Sequence, residues 1–164
     1  MIDPTSRESL RAAGFEGFVS VGSLREAGLA PVPERRGVYL LLAEASAEPP
    51  RFLPVSPAGG GLAATQPAGE LEERWVPGAI VLYVGRADGK ATLRSRVGQF
   101  LDFGRGKRTG HRDGRAVWQI PRSAGFVLCW QTVSGKSAWG RRRSILEAFR
   151  EGFGRLPFGN ARGD

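Results

Sequence analysis

The chain has 164 residues, of which 41% are hydrophobic, and this is enough for one domain with a hydrophobic core. Its single cysteine, Cys129, excludes an internal disulfide and a cysteine metal site. No apolar run approaches the ~20 residues that cross a bilayer, and the N-terminal residues lack the features of a signal peptide. We therefore expect one cytoplasmic domain over residues 1–164, without membrane association and without an evident obligate protein partner.

The net charge of +8 is unevenly distributed along the chain. Residues 1–85 contain 7 Lys and Arg against 10 Asp and Glu, whereas residues 86–164 contain 17 against 6, a balance of +11. Such a concentration of positive charge favours a polyanion, most often nucleic acid, because each contact with a phosphate releases condensed counterions. A basic surface that serves only solubility is the alternative interpretation.

The first half of the chain predicts two short helices and two strands. The segments SRESLRAAGF and VGSLREAGL each begin with a capping Ser and end at a Gly, so residues 1–33 are predicted to form a helical N-terminal extension. The apolar runs at 37–45 and 79–85 are typical of strands. Between them, residues 46–78 are rich in Pro, Gly and Ala and predict a long irregular insertion.

The second half begins with a predicted amphipathic helix from Leu93 to about Gly104. A basic, glycine-rich loop follows at 104–116, which suits contact with phosphates but equally suits a solvated surface. The segments VWQI and FVLCWQTV are then predicted as strands, and residues 138–153 as a final helix. The fold class is therefore α+β.

A nucleotide-binding glycine loop is the first interpretation of the segment VLYVGRADGK to test. Such a loop needs four residues between its glycines and a Ser or Thr after the Lys. Here three residues separate Gly85 from Gly89, and Ala91 follows Lys90. The spacing therefore argues against this class of site.

Alternation along the two first strands predicts one aliphatic face and one face with both tyrosines. Val38, Leu40 and Leu42 oppose Tyr39, and Ile80, Leu82 and Val84 oppose Tyr83 and Gly85. Two aromatic side chains packed in a core with bonded hydroxyls would explain this pattern without any function.

The segments GVY (37–39) and YVG (83–85), followed by a helix with Arg96, resemble the GIY-YIG nuclease superfamily. The resemblance covers residues 37–45 and 79–160 and follows the element order strand, strand, helix, strand, helix. It implies a small mixed β-sheet of the GIY-YIG type flanked by helices, in which the first two strands form a hairpin. The 43 residues between Tyr39 and Tyr83 are a longer connection than the family usually has, so they predict a long insertion.

The resemblance also implies roles for particular side chains. Tyr39 matches the family's proposed general base, which must be acidified because a phenol has a pKa of ~10. Tyr83 would hydrogen-bond at the same site, and Arg96 would bind the phosphate through its planar guanidinium. Arg94, at the other edge of the helix's apolar stripe, is the alternative to Arg96. Arg86 corresponds to a position that is often basic in the family.

Two further positions match the family. His111, in a His and Trp-Gln pattern, would act on the nucleophile or contact DNA, and a surface histidine is the alternative. Asn160 matches the asparagine that closes the family motif and would brace the site, unless it only caps a turn. The remaining candidates for substrate binding are Lys90, Lys107, Arg108, Arg112 and Arg115.

The metal ligand is where the chain departs from the family. The family's single Glu on the last helix is replaced by Arg142, which lies on the apolar stripe and is expected to face the sheet. Glu147 is the nearest carboxylate, but it lies on the far side of that helix, where a solvated charge beside Arg143 and Arg150 is the simpler interpretation. Magnesium binds few carboxylates, so this loss could remove catalysis and leave nucleic-acid affinity.

Two functions therefore remain open. The first is a DNA endonuclease that uses Mg²⁺ or Mn²⁺, held by Glu147, and a tyrosine-activated water. The second is a catalytically degenerate nucleic-acid-binding module, in which Arg142 holds the phosphate in place of the metal. The matches at Tyr39, Tyr83, Arg96 and Asn160 favour the nuclease, and we expect DNA rather than RNA as the partner.

Overall fold

A four-stranded sheet is the centre of the computed structural model, which describes residues 2–109, 113–134 and 137–160. The strands are β1 (Glu16–Ser20), β2 (Gly37–Leu42), β3 (Val81–Ala87) and β4 (Val127–Thr132), in the order β1-β4-β2-β3. Every pair among these strands is antiparallel, so the expected mixed sheet is wrong in this respect. The α+β class is confirmed, and β3 is an edge strand of this sheet.

Helices cover both faces of the sheet. In the described part of the chain they are α1 (Arg7–Ala12), α2 (Val21–Ala27), α3 (Ala68–Arg74), α4 (Leu93–Gly104) and α5 (Ala138–Phe153). The predictions for α4 and α5 are confirmed. Helix α4 begins where the Thr92 hydroxyl accepts from the Ser95 backbone N–H, and Ser95 bonds back to Thr92. None of the described helices is long and apolar enough to cross a membrane.

The core has two layers separated by the sheet. On one face, buried residues of α2, α3 and α4 pack around Tyr39 and Tyr83. On the other, buried residues of α1 and α5 pack against Val38, Leu40 and Leu42. The alternation of β2 therefore separates its tyrosine face from its aliphatic face, as the sequence predicts.

The register between β2 and β3 shifts near the start of β3. Leu41 pairs with Tyr83, but Leu42 pairs with Val81, so Leu82 is an extra residue in a bulge. As a consequence, Leu82 joins the tyrosine layer and Val81 the aliphatic layer, against the alternation expected for Leu82.

Two sequence predictions outside strands β2 and β3 are corrected. Residues 16–20, expected within a helical extension, form β1, whose register shifts between Gly17 and Val19. Gly17 and Phe18 both have positive φ, so this strand lacks the regular alternation by which strands are identified. The segment VWQI, expected as a strand, lies largely in a 3₁₀ turn over Arg115–Gln119.

The insertion at 46–78 is not irregular throughout. It contains a 3₁₀ turn at Gly61–Ala64 and helix α3, and its Leu71 and Trp75 are buried in the tyrosine layer. The buried Gln119 side chain holds it in place, since it donates to the carbonyls of Leu53 and Gln66 and accepts from the Gln66 N–H. The insertion is thus part of the core, and it lies against the C-terminal segment.

Candidate functional site

An arginine-rich cavity of about 650 Å³ opens beside the edge strand β3. Five arginines from five parts of the chain line it: Arg74, Arg86, Arg96, Arg115 and Arg142. Tyr83, Asn160, Gln66 and the carboxylates of Asp88 and Asp113 complete its polar lining. We call this space the arginine cavity. Its five arginines and two aspartates give it a formal charge of +3.

Val84 on the open edge of β3 organises one wall of the cavity. The Asn160 side chain accepts from the Val84 N–H at 2.9 Å and donates to the Val84 carbonyl at 3.0 Å, as a neighbouring strand would. The Gly159 N–H donates to the carbonyl of Leu82 at 2.7 Å. Asn160 is 5% exposed, so both of its bonds to Val84 are buried.

Arg142 donates a hydrogen bond to the same Val84 carbonyl as Asn160. Its Nε donates to the Val84 oxygen at 3.2 Å, and the residue is only 8% exposed. The prediction that position 142 faces the sheet is therefore confirmed. Because one guanidinium nitrogen is held by backbone, the orientation of the whole planar group is restricted, and within the described residues its terminal nitrogens bond to no protein group.

The two tyrosines lie together beneath this wall. Tyr39 is fully buried and Tyr83 is 2% exposed, and their ring centroids are 6.1 Å apart. Each hydroxyl group affects the pKa of the other. Gly85 is required here, because a methyl group at that position would lie 2.5 Å from the Tyr39 hydroxyl oxygen. The space at Gly85 thus accommodates the Tyr39 ring, and of the two tyrosines only Tyr83 reaches the cavity.

Burial sets the protonation of both phenols. It raises the pKa of Tyr39 well above its ordinary value, and Tyr83 adds to the rise while the charge of Arg96 opposes it. Burial likewise raises the pKa of Tyr83, with a further rise from Asp113 and a partial offset from Arg142 and Arg96. Both hydroxyls keep their protons at neutral pH, whereas a general base needs the opposite shift.

The choice between the two arginines of α4 is resolved by their contacts. Arg96 lines the cavity and bonds to Gln99 at 2.9 Å. Arg94 lies outside the cavity lining, where it pairs with Glu34 at 2.9 Å and donates to the carbonyl of Val32. Arg94 therefore anchors the segment before β2, and Arg96 is the arginine of this helix that faces the cavity.

Asp88 is occupied by a structural role. One carboxylate oxygen accepts from the Ala138 N–H at 3.1 Å and the other from the Trp139 N–H at 2.9 Å. This pair of bonds caps the N-terminus of α5 and ties it to the end of β3. Helix α5 is thereby fixed at the position from which Arg142 reaches Val84.

Arg74 and Gln66 are cavity residues that the sequence reasoning missed. Both belong to the insertion, and Arg74 donates to Gln66 at 2.9 Å and to the Phe158 carbonyl at 2.7 Å. Burial lowers the pKa of Arg74, and repulsion from Arg115 lowers it further. Nothing in the local pattern of the insertion indicates this position, because it depends on contacts with residues 84 positions away.

The other predicted residues are distributed as follows. Arg86, Arg115 and Arg142 line the cavity, whereas Lys90, Lys107 and Arg108 do not. His111 and Arg112 lie outside the described residues. Glu147 is on the solvent side of α5, where its carboxylate pairs with Arg143 at 3.2 Å and its side chain is 64% exposed. The structure thus places Glu147 away from the cavity, contrary to its selection as a metal ligand.

Only two carboxylates, those of Asp88 and Asp113, belong to the described lining of the cavity. Position 142 is a cation, and Asp88 uses both of its oxygens as backbone acceptors. In the described ranges no three His, Cys, Asp or Glu side chains are grouped as metal ligands. The arginines of the cavity are also unpaired, since none of them is in an ion pair with a described acidic residue. This donor set favours an anion.

Comparison with protein-family models, with curated proteins and with solved structures finds no significant match for this chain.

Proposed function

We propose that this protein binds nucleic acid by holding a backbone phosphate in the arginine cavity. The observation that carries the proposal is that five arginines and only two acidic residues line one cavity. One of those carboxylates, Asp88, is committed to the start of α5. A phosphate offers the charge and the multiple acceptor oxygens that such a set of donors requires.

The geometry favours an anion over internal neutralisation. Arginines that serve only stability usually pair with carboxylates. Among the described acidic residues, those in ion pairs are Glu34, Asp102 and Glu147, and their partners lie outside the cavity: Arg94, Arg105, Lys107 and Arg143. Burial is the main cause of the lowered pKa of Arg74, and repulsion from Arg115 adds to it; a bound anion would relieve that repulsion. The fixed guanidinium of Arg142 loses little further freedom on binding.

The partner is a polyanion because the positive charge extends beyond the cavity. Residues 86–164 have a balance of +11, and Lys90, Lys107 and Arg108 are exposed near the ends of α4. Exposed cations of this kind add affinity without base selection. DNA and RNA share the phosphate that the cavity would bind, and we keep DNA as the expected partner.

Fluorescence anisotropy with a labelled DNA duplex tests the proposal. Arg86→Ala and Arg96→Ala should each weaken binding and reduce the slope of log affinity against log salt by about 0.9 per lost phosphate contact. Arg7→Ala is the matched control, since Arg7 is exposed on α1, which packs on the opposite face of the sheet from the tyrosine layer. Absence of binding at low salt, or an equal loss in Arg7→Ala, would refute the proposal.

Phosphodiester cleavage is a second candidate function. The specific observation in its favour is that Tyr83, Arg96, Arg142 and Asn160 lie around one cavity. In this proposal the arginines would stabilise charge that develops on the phosphate, and Tyr83 would hydrogen-bond to it. The raised pKa of both tyrosines opposes a general-base role, so we expect slow or absent turnover.

Nuclease assays with Mg²⁺ or Mn²⁺, and with a chelator, separate the two candidates. If Arg142 has replaced a metal ligand, Arg142→Glu should gain metal-dependent cleavage, while Glu147→Ala should behave as the wild type. If the wild type cleaves, Tyr83→Phe should lower the rate by about 10²-fold through loss of a hydrogen bond to the reacting phosphate, because Tyr83 is the tyrosine that reaches the cavity. Cleavage that none of these substitutions changes would be inconsistent with a reaction at this cavity.

A further inference from the structure

A second basic cavity of about 560 Å³ adjoins the arginine cavity. Arg150 of α5 and the turn from Gly154 to Pro157 line it. It shares two lining residues with the arginine cavity, Arg74 and Asn160. The two spaces are therefore neighbours along the outer side of β3, separated by a wall to which Arg74 and Asn160 contribute.

The second cavity lies where α5 ends. Gly154 has φ of 77° and its N–H donates to the Arg150 carbonyl at 2.7 Å, which ends the helix. The chain then turns back, so that Gly159 and Asn160 pair with the edge of β3. Residues 154–157 therefore line the second cavity, and Arg155 connects them to the insertion.

The charge in the second cavity is positive throughout its described lining. Arg74, Arg150 and Arg155 are its ionisable residues, and no acidic side chain of the described chain lines it. The C-terminus of α5 opposes an anion with a partial charge of about −0.5. Three full positive charges outweigh that contribution, so the second cavity also attracts an anion.

Two of these arginines are held in place before any ligand binds. Arg155 donates to the backbone carbonyls of Trp75, at 3.0 Å, and of Glu73. Arg74 donates to Gln66 and to the Phe158 carbonyl. Carbonyl partners orient a guanidinium without neutralising it, so the positive charge remains available to a ligand.

We infer that the ligand is a continuous polynucleotide strand whose successive phosphates occupy the arginine cavity and then the second cavity. This inference rests on the proposed function and extends it from a single phosphate to a chain of phosphates. A lone phosphate or mononucleotide would use one cavity and leave the arginines of the other unpaired. A strand that passes Arg74 and Asn160 would meet both sets of arginines.

Chain-length dependence tests this inference. The probes are single-stranded oligodeoxynucleotides of two and of twelve nucleotides, measured by anisotropy or by competition, for the wild type and for Arg150→Ala. Arg150 is exposed and lines only the second cavity, so its removal should leave the fold intact. We expect the twelve-nucleotide strand to bind roughly five- to tenfold more weakly to the variant. Binding of the dinucleotide should change by less than about twofold.

Arg143→Ala is the matched control on the same helix, because Arg143 is exposed and lines neither cavity. It should leave the affinity for both probes near that of the wild type. If Arg86→Ala weakens binding but Arg150→Ala has no effect at either length, the inference is overturned and the proposed function stands. If the wild type binds the labelled duplex but neither single-stranded probe at low salt, the inference is overturned and the proposed function stands. If it binds neither the duplex nor the probes, both are overturned.

Discussion

The carbonyl of Val84 accepts from two side chains, and this double acceptance predicts a measurable coupling between them. Asn160 Nδ2 donates to it at 3.0 Å and Arg142 Nε at 3.2 Å. The perturbation is a double-mutant cycle with Asn160→Ala and Arg142→Met. Either substitution alone leaves the carbonyl one partner, and only the double variant removes both.

The size of the coupling follows from the cost of an unpaired buried acceptor. Val84 is fully buried, and a buried carbonyl without a partner costs about 1–3 kcal/mol. Asn160→Ala also removes the acceptor of the Val84 N–H, but this loss occurs in both the single and the double variant and cancels in the cycle. We expect the double variant to be less stable than the sum of the single effects by about 1–2 kcal/mol.

Urea unfolding monitored by tryptophan fluorescence provides the four free energies, and equal m-values would show that the unfolding transition is the same in all variants. Arg142→Met alone is expected to change stability little, because removing a buried charge offsets the lost hydrogen bond. Free energies that add within about 0.5 kcal/mol would refute the reasoning, since they would mean that the carbonyl does not depend on these two donors.

Three further predictions concern Gly85, the two buried tyrosines and the exposed Glu147. Gly85→Ala should destabilise the protein by about 2–3 kcal/mol or more, because the new methyl group would overlap the buried Tyr39 ring, and chemical denaturation measures the loss. Raising the pH from 10 to 11 should lower the free energy of unfolding by about 1 kcal/mol for each of Tyr39 and Tyr83, measured by urea titrations at each pH. Glu147→Ala should change stability by less than about 0.5 kcal/mol, since its ion pair is exposed, and should leave anisotropy binding curves unchanged.

The sign of the pH effect follows from burial. The folded-state pKa of both tyrosines is raised, so above pH 10 the unfolded chain loses phenol protons that the folded protein keeps, and stability falls as pH rises. A Cys129→Ala background removes the buried thiol, whose pKa rises to about 12 and which acts in the same direction. Stability that stays level between pH 10 and 11 would contradict this account.

Gly140→Ala is the control for the glycine substitution. Its new methyl group would meet nothing within 4 Å, and alanine favours a helix over glycine by about 0.5–1 kcal/mol. We therefore expect Gly140→Ala to be neutral or stabilising. Equal destabilisation by both alanines would show that the Tyr39 contact is not the cause.

Local patterns in the sequence were sufficient for the elements nearest the cavity. The apolar runs predicted β2, β3 and β4, and the 3.6-residue periodicity predicted α4, α5 and the inward direction of Arg142. Alternation along β2 also placed Tyr39 opposite the aliphatic face. These features follow from the sequence alone because each depends on neighbours within a few residues, where the periods of strand and helix apply.

The tertiary structure decided the features that depend on distant contacts. Strand β1 pairs with β4 despite positive φ at Gly17 and Phe18, so its order comes from its partner and not from its own pattern. Leu82 changes layer because of the shifted register with β2, which no single strand encodes.

Most of the candidate site also depends on contacts between residues that are distant in the sequence. Arg74 reaches the cavity because the insertion is held by Gln119 and by the Phe158 carbonyl. Asn160 acts as a partner of Val84 because the chain turns back after α5. Sequence periodicity describes one element at a time, whereas the charge and shape of a cavity depend on how separate elements pack, and only the folded chain determines that.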